Sequence, residues 1–304
     1  MKYSFGLILL GVFLSVVNKD VYSQVPYAEE SRENKGMKIV SAGGSVTEIL
    51  YALDAQALIV ATDTSSLYPA AVNQLPKVGY YRQLSVEGVA STGATHLISL
   101  AEAGSKTSLE QIKNLGVTLE LIDTAKNIDG LYKAITMLGG LINKVEQAEV
   151  LIRTLRQDFA KVRKQVDTRN PKKAVFLMSI SDQGVMAAGK NTVPNIIFKT
   201  LGMTNPYSQL QGFKTVSPES LLAYAPDLIF VPAHQARGLR PEQLCEKPAI
   251  RLLRDAYGCN LHIVDPLKFL GLTPRLPQAM QEVLEVAKKQ QELEGNQQQA
   301  SLGQ

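Results

Sequence analysis

The sequence predicts an α/β protein: two similar α/β lobes with mainly parallel sheets, joined by one long rigid helix, with a ligand cleft between the lobes. Three observations carry this. Short apolar segments alternate with helical ones in both halves of the chain, the pattern of βαβ units. One central stretch keeps helical periodicity for about 24 residues. Residues 82–90 (RQLSVEGVA) are echoed by residues 214–222 (KTVSPESLL) at a constant offset of 132.

The first 23 residues read as a leader. Lys2 supplies a positive start, Phe5 to Val17 form an almost wholly apolar run, and Val21-Tyr22-Ser23 places a small residue before Gln24. This is the pattern of a cleaved secretory signal peptide, too short to span a hydrocarbon layer of about 30 Å comfortably. Residues 24–36 are polar and predicted disordered. The mature protein is therefore expected in the periplasm.

The N-terminal lobe is assigned to residues 37–142. MKIVSAG (37–43) reads as a buried strand, with Ser45 as N-cap of a helix through Leu53. LIVATD (58–63), HLISL (96–100) and VTLELID (117–123) are strands, and Ser105 to Leu115 is a helix. Residues 143–169 form the connecting segment. Val145, Ala148, Leu151, Leu155, Phe159, Val162 and Val166 recur every three or four positions, giving an amphipathic helix of about 36 Å at ~1.5 Å per residue. Asn170-Pro171 ends it.

The C-terminal lobe is assigned to residues 170–294. Its elements are KAVFLMSI (173–180), a helix at 193–201, LIFVP (228–232), a helix at 248–257, LHIVD (261–265) and a terminal helix from Pro277. Residues 295–304 (GNQQQASLGQ) lack apolar periodicity and are predicted disordered.

The echo pairs Arg82 with Lys214, Leu84 with Val216, Ser85 with Ser217 and Glu87 with Glu219. Both serines suit N-caps, Pro218 suits a first helical turn, and each glutamate lies where the helix dipole favours negative charge. SVTEILYAL (45–53) likewise resembles TVPNIIFKTL (192–201).

Composition narrows the function. With 304 residues, 45% of them hydrophobic, the chain can bury more than one core. A net charge of +4 with interspersed signs argues against a nucleic-acid binder. Three dispersed histidines argue against a zinc or manganese carrier. No nucleophile elbow, P-loop or G-x-G-x-x-G is present, so the chain does not read as an enzyme; a periplasmic hydrolase is the weakest alternative. Cys245 and Cys259 form an even pair, which an oxidising compartment favours as a disulfide. Whether the two sulfurs meet depends on geometry.

The segment VGYYRQLSVEG (78–88) sets two phenols beside a guanidinium. Tyr80, Tyr81 and simple aromatic packing are the competing readings. In an extended segment consecutive side chains point opposite ways, so one tyrosine alone faces the cleft.

This organisation resembles the substrate-binding proteins of ABC importers, in the class that carries iron chelates, cobalamin and haem, and within it the periplasmic haem-binding proteins. The matching stretches are KIVSAGGSVTEILYALDA (38–55), ATDTSSLYPAAVNQLPKVGYYRQLSVEGV (61–89), VMAAGKNTV (185–193), FKTVSPESLLAYAPDLIFV (213–231) and TPR (273–275). They span nearly the whole mature chain. The resemblance implies haem b as transported ligand, with ferric iron bound by the Tyr80 phenolate. Arg82 then stabilises that phenolate or pairs with a propionate. It makes Arg275 a second propionate partner and sets Met186, read as lying on a turn, against the porphyrin or in the core. Tyr81 and His234 remain alternative iron ligands, while His96 and His262 read as structural. Glu87 and Glu219 are expected to dock on an inner-membrane permease served by its ATPase, with the binding protein a monomer. Some relatives carry a histidine just after the strand equivalent to 173–180; MSISDQGVMAAG has none, so five-coordinate iron is expected. A cobalamin or ferric-siderophore carrier is the alternative within the class.

Overall fold

The computed structural model describes residues 36–167, 169–181 and 184–302. The expected leader and residues 24–35 lie outside the described residues. In chain order, the N-terminal half holds β1 (Ile39–Ala42), α1 (Gly44–Ala52), β2 (Ile59–Thr62), β3 (Gly79–Tyr80), β4 (Gln83–Leu84), α2 (Val86–Ser91), β5 (His96–Leu100), α3 (Lys106–Asn114), β6 (Thr118–Ile122) and α4 (Ile128–Leu141). The connecting helix α5 is Val145–Arg163. The second half holds β7 (Ala174–Ser181), β8 (Gly184–Ala188), α6 (Val193–Thr200), β9 (Phe213–Val216), α7 (Pro218–Tyr224), β10 (Leu228–Pro232), α8 (Ala233–Ala236), α9 (Pro241–Cys245), α10 (Pro248–Tyr257), β11 (Leu261–Val264), α11 (Pro266–Phe269) and α12 (Leu276–Leu302).

The first sheet has the order β2-β1-β5-β6, all parallel. The second has the order β11-β10-β7-β8-β9. Only β11, β10 and β7 run parallel there; β7, β8 and β9 pair antiparallel. The sequence reading passes over β8 and β9. The β8 segment GVMAA is poor in branched and aromatic residues, so its propensity is weak, and pairing with β7 places it.

Three further features differ from the sequence reading. Helix α1 starts one residue before Ser45, and the cap position is Gly43, at φ 98°. A Cβ there would lie 2.9 Å from the Leu100 side chain, so glycine both allows the turn and leaves room for β5. Helix α4 is not among the expected elements; it carries Gly130, Gly139 and Gly140, and glycine is a weak helix former. Gly139 is instead a contact point: a Cβ there would sit 2.5 Å from Ala148 of α5. Helix α12 runs to Leu302, past Glu294. Glutamine, alanine and glutamate are good helix formers, and Gly295 alone does not end the helix.

Helix α5 buries Ala148, Leu155, Phe159 and Val162, while Val145 of the predicted stripe is exposed. One apolar core runs through both halves. It joins Ile39 and Ile98 of the first sheet to Leu155 and Phe159, then to Phe176, Phe230 and Phe269, and to Leu276 and Val283 of α12. Phe269 stacks on Phe176 and Phe230 at 6.1 and 6.2 Å between ring centres. The lobes are thus tied by a continuous close-packed interior as well as by α5. Cys245 and Cys259 are bonded, with Cα atoms 6.1 Å apart. A bridge closing a loop of this length stabilises by about 3 kcal/mol.

Candidate functional site

β3 and β4 form a hairpin in which Tyr80 faces Gln83, so Tyr81 and Arg82 make the two-residue turn. The segment is therefore not extended at Tyr81, so strand alternation does not choose between the phenols. The two rings meet edge to face, 4.8 Å apart at 69°. They still differ: Tyr80 is 42% exposed, whereas Tyr81 is half-buried against the cluster around Val78, Leu84 and Val89. Gly79 enters the hairpin at φ 91°, and a Cβ there would lie 3.0 Å from the Gln83 carbonyl oxygen.

Arg82 is engaged with the other tyrosine. Its Nε donates to the Tyr81 hydroxyl at 2.8 Å, and its guanidinium lies 5.2 Å from the Tyr81 ring centre. Burial pushes the Tyr81 phenol above the ordinary tyrosine value, and the Arg82 hydrogen bond opposes that rise. The bond to Tyr81 raises the Arg82 guanidinium above its ordinary value, and partial burial opposes that rise.

What holds the hairpin is Asp63, a residue the sequence reading passes over. Its carboxylate is fully buried and accepts from Gly43 N–H (2.9 Å), Ser65 N–H (2.9 Å), the Ser65 and Ser66 hydroxyls, and Tyr81 N–H (3.3 Å). One carboxylate thus joins the turn after β1, the loop after β2 and the tyrosine hairpin. The Thr64 N–H, donating to the Gly79 carbonyl at 2.9 Å, completes the tie. No sequence signal marks Asp63, because all five of its donors are backbone N–H or serine hydroxyl groups without a motif.

Arg275 is not a ligand-facing group. Its side chain is 7% exposed and bonds Glu48 through Nε (2.8 Å) and Nη2 (2.6 Å), and Asp265 through Nη1 (3.2 Å). The Tyr68 ring lies 3.6 Å from the guanidinium. Bidentate carboxylate pairing and ring stacking use the whole guanidinium, so the propionate role is withdrawn. Burial pushes the Glu48 carboxyl above the usual carboxylate range, and the bonds and charge of Arg275 oppose it.

Met186 lies within β8, opposite Ser179 and Thr215, and is half-buried; it is not on a turn. His234 is exposed on α8, just after β10. His96 opens β5 with its Nδ1 2.8 Å from the Thr95 hydroxyl, and His262 sits in β11 with Nε2 2.7 Å from Asn260 Oδ1. Among the described residues no cluster of metal-ligating side chains occurs.

The echoed halves superpose in chemistry. The Ser85 hydroxyl accepts from Gly88 N–H at 2.9 Å and that of Ser217 from Ser220 N–H at 3.2 Å. Glu87 and Glu219 occupy the same place in the first turns of α2 and α7, and both are exposed.

A profile of the periplasmic binding protein family matches residues 39–257. The chain belongs to that family. The structure of the periplasmic haem-binding protein HutB of Vibrio cholerae is similar at a TM-score of 0.74 and 28% identity, over 83% of this chain and 98% of that one. The periplasmic haem-binding protein RhuT of Roseiflexus gives 0.73 and 26%, over 84% and 98%. Among sequence relatives, a vitamin B12-binding protein of Vibrio parahaemolyticus is 22% identical over 76% of this chain and 82% of its own length. An ABC transporter substrate-binding lipoprotein of Bacillus subtilis is 24% identical over 82% and 79%. This binding protein shares the two-lobe substrate-binding fold with them, and no described helix is long and apolar enough to cross a membrane.

Proposed function

We propose that this protein captures ferric haem in the periplasm and hands it to an inner-membrane ABC permease, with the Tyr80 phenolate as the axial iron ligand. The observation that carries this reading is the division between the two tyrosines. Tyr80 presents its phenol at an exposed hairpin edge, while Tyr81 is half-buried and committed to Arg82. Haem-binding neighbours at 26–28% identity support the choice of cargo.

Ferric haem accepts tyrosinate as an axial ligand. A free phenol ionises near pH ~10, so iron must displace the proton, and the positive charge of Arg82 close by favours the anion. Met186 offers the porphyrin a soft apolar contact from the second lobe. The protein acts as a monomer, with Glu87 and Glu219 meeting basic groups of the permease. The shared core and α5 limit hinge motion between the lobes.

A second reading, a cobalamin carrier, is favoured by the vitamin B12-binding sequence relatives. Titrating the mature protein with hemin and with cyanocobalamin separates the two. Hemin is expected to give tyrosinate-type absorption that vanishes in Tyr80→Phe and persists in Tyr81→Phe. An unchanged spectrum in Tyr80→Phe overturns the assignment. Tight cobalamin binding without a hemin signal establishes the second reading.

A further inference from the structure

A cavity of about 610 Å³ lies apart from the tyrosine hairpin, walled by the start of α4, the C-terminal half of α5, and α6 with the residues before it. Five basic side chains line it, Lys126, Arg156, Arg163, Lys190 and Lys199, against one carboxylate, Asp129. Among the described residues none of the five has a carboxylate partner within 4.0 Å.

The same helix treats its other cations differently. Outside the cavity, Arg153 of α5 pairs with Glu149 and Lys161 pairs with Asp158. Inside, Arg156 has the Tyr132 ring, 5.3 Å from its guanidinium, and no acid. Burial raises the Tyr132 phenol, Arg156 and Arg163 oppose that rise, and Asp129 adds to it. Like charges gathered on a concave wall focus the potential and concentrate anions. Guanidinium groups match carboxylate and phosphate oxygens in pairs. The volume falls in the range of small-molecule sites, about 300–1,000 Å³.

We propose that this cavity is a binding site for a multivalent oxyanion, a small compound bearing two or more phosphate or carboxylate groups, distinct from the Tyr80 site. A single monovalent anion leaves most of the five cations uncompensated. The cations come from the first lobe, the connecting helix and the second lobe in turn. A bound polyanion therefore touches both halves and favours the arrangement in which they stand this close.

The test is calorimetry of the mature protein with inorganic pyrophosphate and with citrate, against sodium chloride at matched ionic strength. Saturable binding of the multivalent anions is expected, at least tenfold weaker in an Arg156→Ala/Arg163→Ala double variant. An Arg153→Ala/Lys161→Ala double variant removes equal charge from the same helix outside the cavity, and its binding should equal that of the wild type. Hemin titration of both variants should match the wild type and reports that they are folded. Absence of saturable binding overturns the proposal, as does equal weakening in the two double variants. Sedimentation with phosphatidylglycerol vesicles through Arg156 and Arg163, without pyrophosphate binding, also overturns it and assigns the cavity to a membrane surface.

Discussion

The segments around Ser85 and Ser217 are one scaffold used twice, and they differ where chemistry is needed. In each, a short strand leads to a serine-capped helix with an exposed first-turn glutamate. In the second copy the positions of Tyr80 and Tyr81 are held by Gly212 and Phe213, the first just before and the second within a strand paired to β8. In the first copy Tyr80 ends β3 and Tyr81 opens the two-residue turn of a hairpin tied down by Asp63. The capped helix is therefore common to both lobes, whereas the phenols belong to one lobe alone.

The largest expected effect concerns what holds the two halves together. Arg275→Met leaves Glu48 buried without its partner, and removing one member of such a pair costs about 3–5 kcal/mol. Thermal or urea unfolding measures this. A loss below ~1 kcal/mol would show that the lobes are joined by the apolar core alone.

Next is the asymmetry of the phenols. Loss of groups that merely support a metal ligand costs about 10–100-fold in affinity, so Tyr80→Phe should weaken hemin binding by more than ~100-fold. Phe213→Tyr, at the position that echoes Tyr81, should add no iron signal. A tyrosinate band restored by Phe213→Tyr in the Tyr80→Phe background would break the comparison.

Smaller again is Asp63→Asn. Hydrogen bonds to a charged group are worth about 1.5–3 kcal/mol, and amide replacement keeps the shape while losing acceptors. Stability should fall by roughly 2 kcal/mol, and hemin affinity by up to about tenfold as the hairpin loosens. Unchanged hemin binding in a destabilised Asp63→Asn protein would confine Asp63 to folding.

The smallest effect on the isolated protein belongs to the pair that the two copies share. Glu87→Ala and Glu219→Ala should leave hemin spectra and affinity as they are, yet each should lower permease-dependent haem uptake in reconstituted vesicles. Equal uptake by both variants and wild type would reduce the glutamates to helix-dipole partners.

Much of the fold was legible because it is local. The strands at 96–100 and 228–232 and the helix at 248–257 match the structure residue for residue, since apolar runs and flanking turn residues mark them without tertiary help. The caps at Ser85 and Ser217 were legible for the same reason, whereas the one expected at Ser45 gave way to Gly43. Helix α4 was not, because Gly139 is set by a neighbour, Ala148. Of the site, the tyrosine segment stood out by composition alone. The geometry that separates Tyr80 from Tyr81 did not, since it depends on a turn and on a carboxylate 18 residues away.

By itself the sequence determined the alternation of strands and helices, the apolar stripe of α5, the duplicated capped helices and the chemistry offered at residues 80–82. Each rests on periodicity or on contacts within a few residues. Only the tertiary structure decided that Arg275 serves Glu48, 227 residues away, instead of a ligand. It alone gave Arg82 to Tyr81, ran one core through both lobes, and gathered five basic side chains around one cavity. A charged side chain's role is set by what lies opposite when the chain is folded, and no local pattern records that.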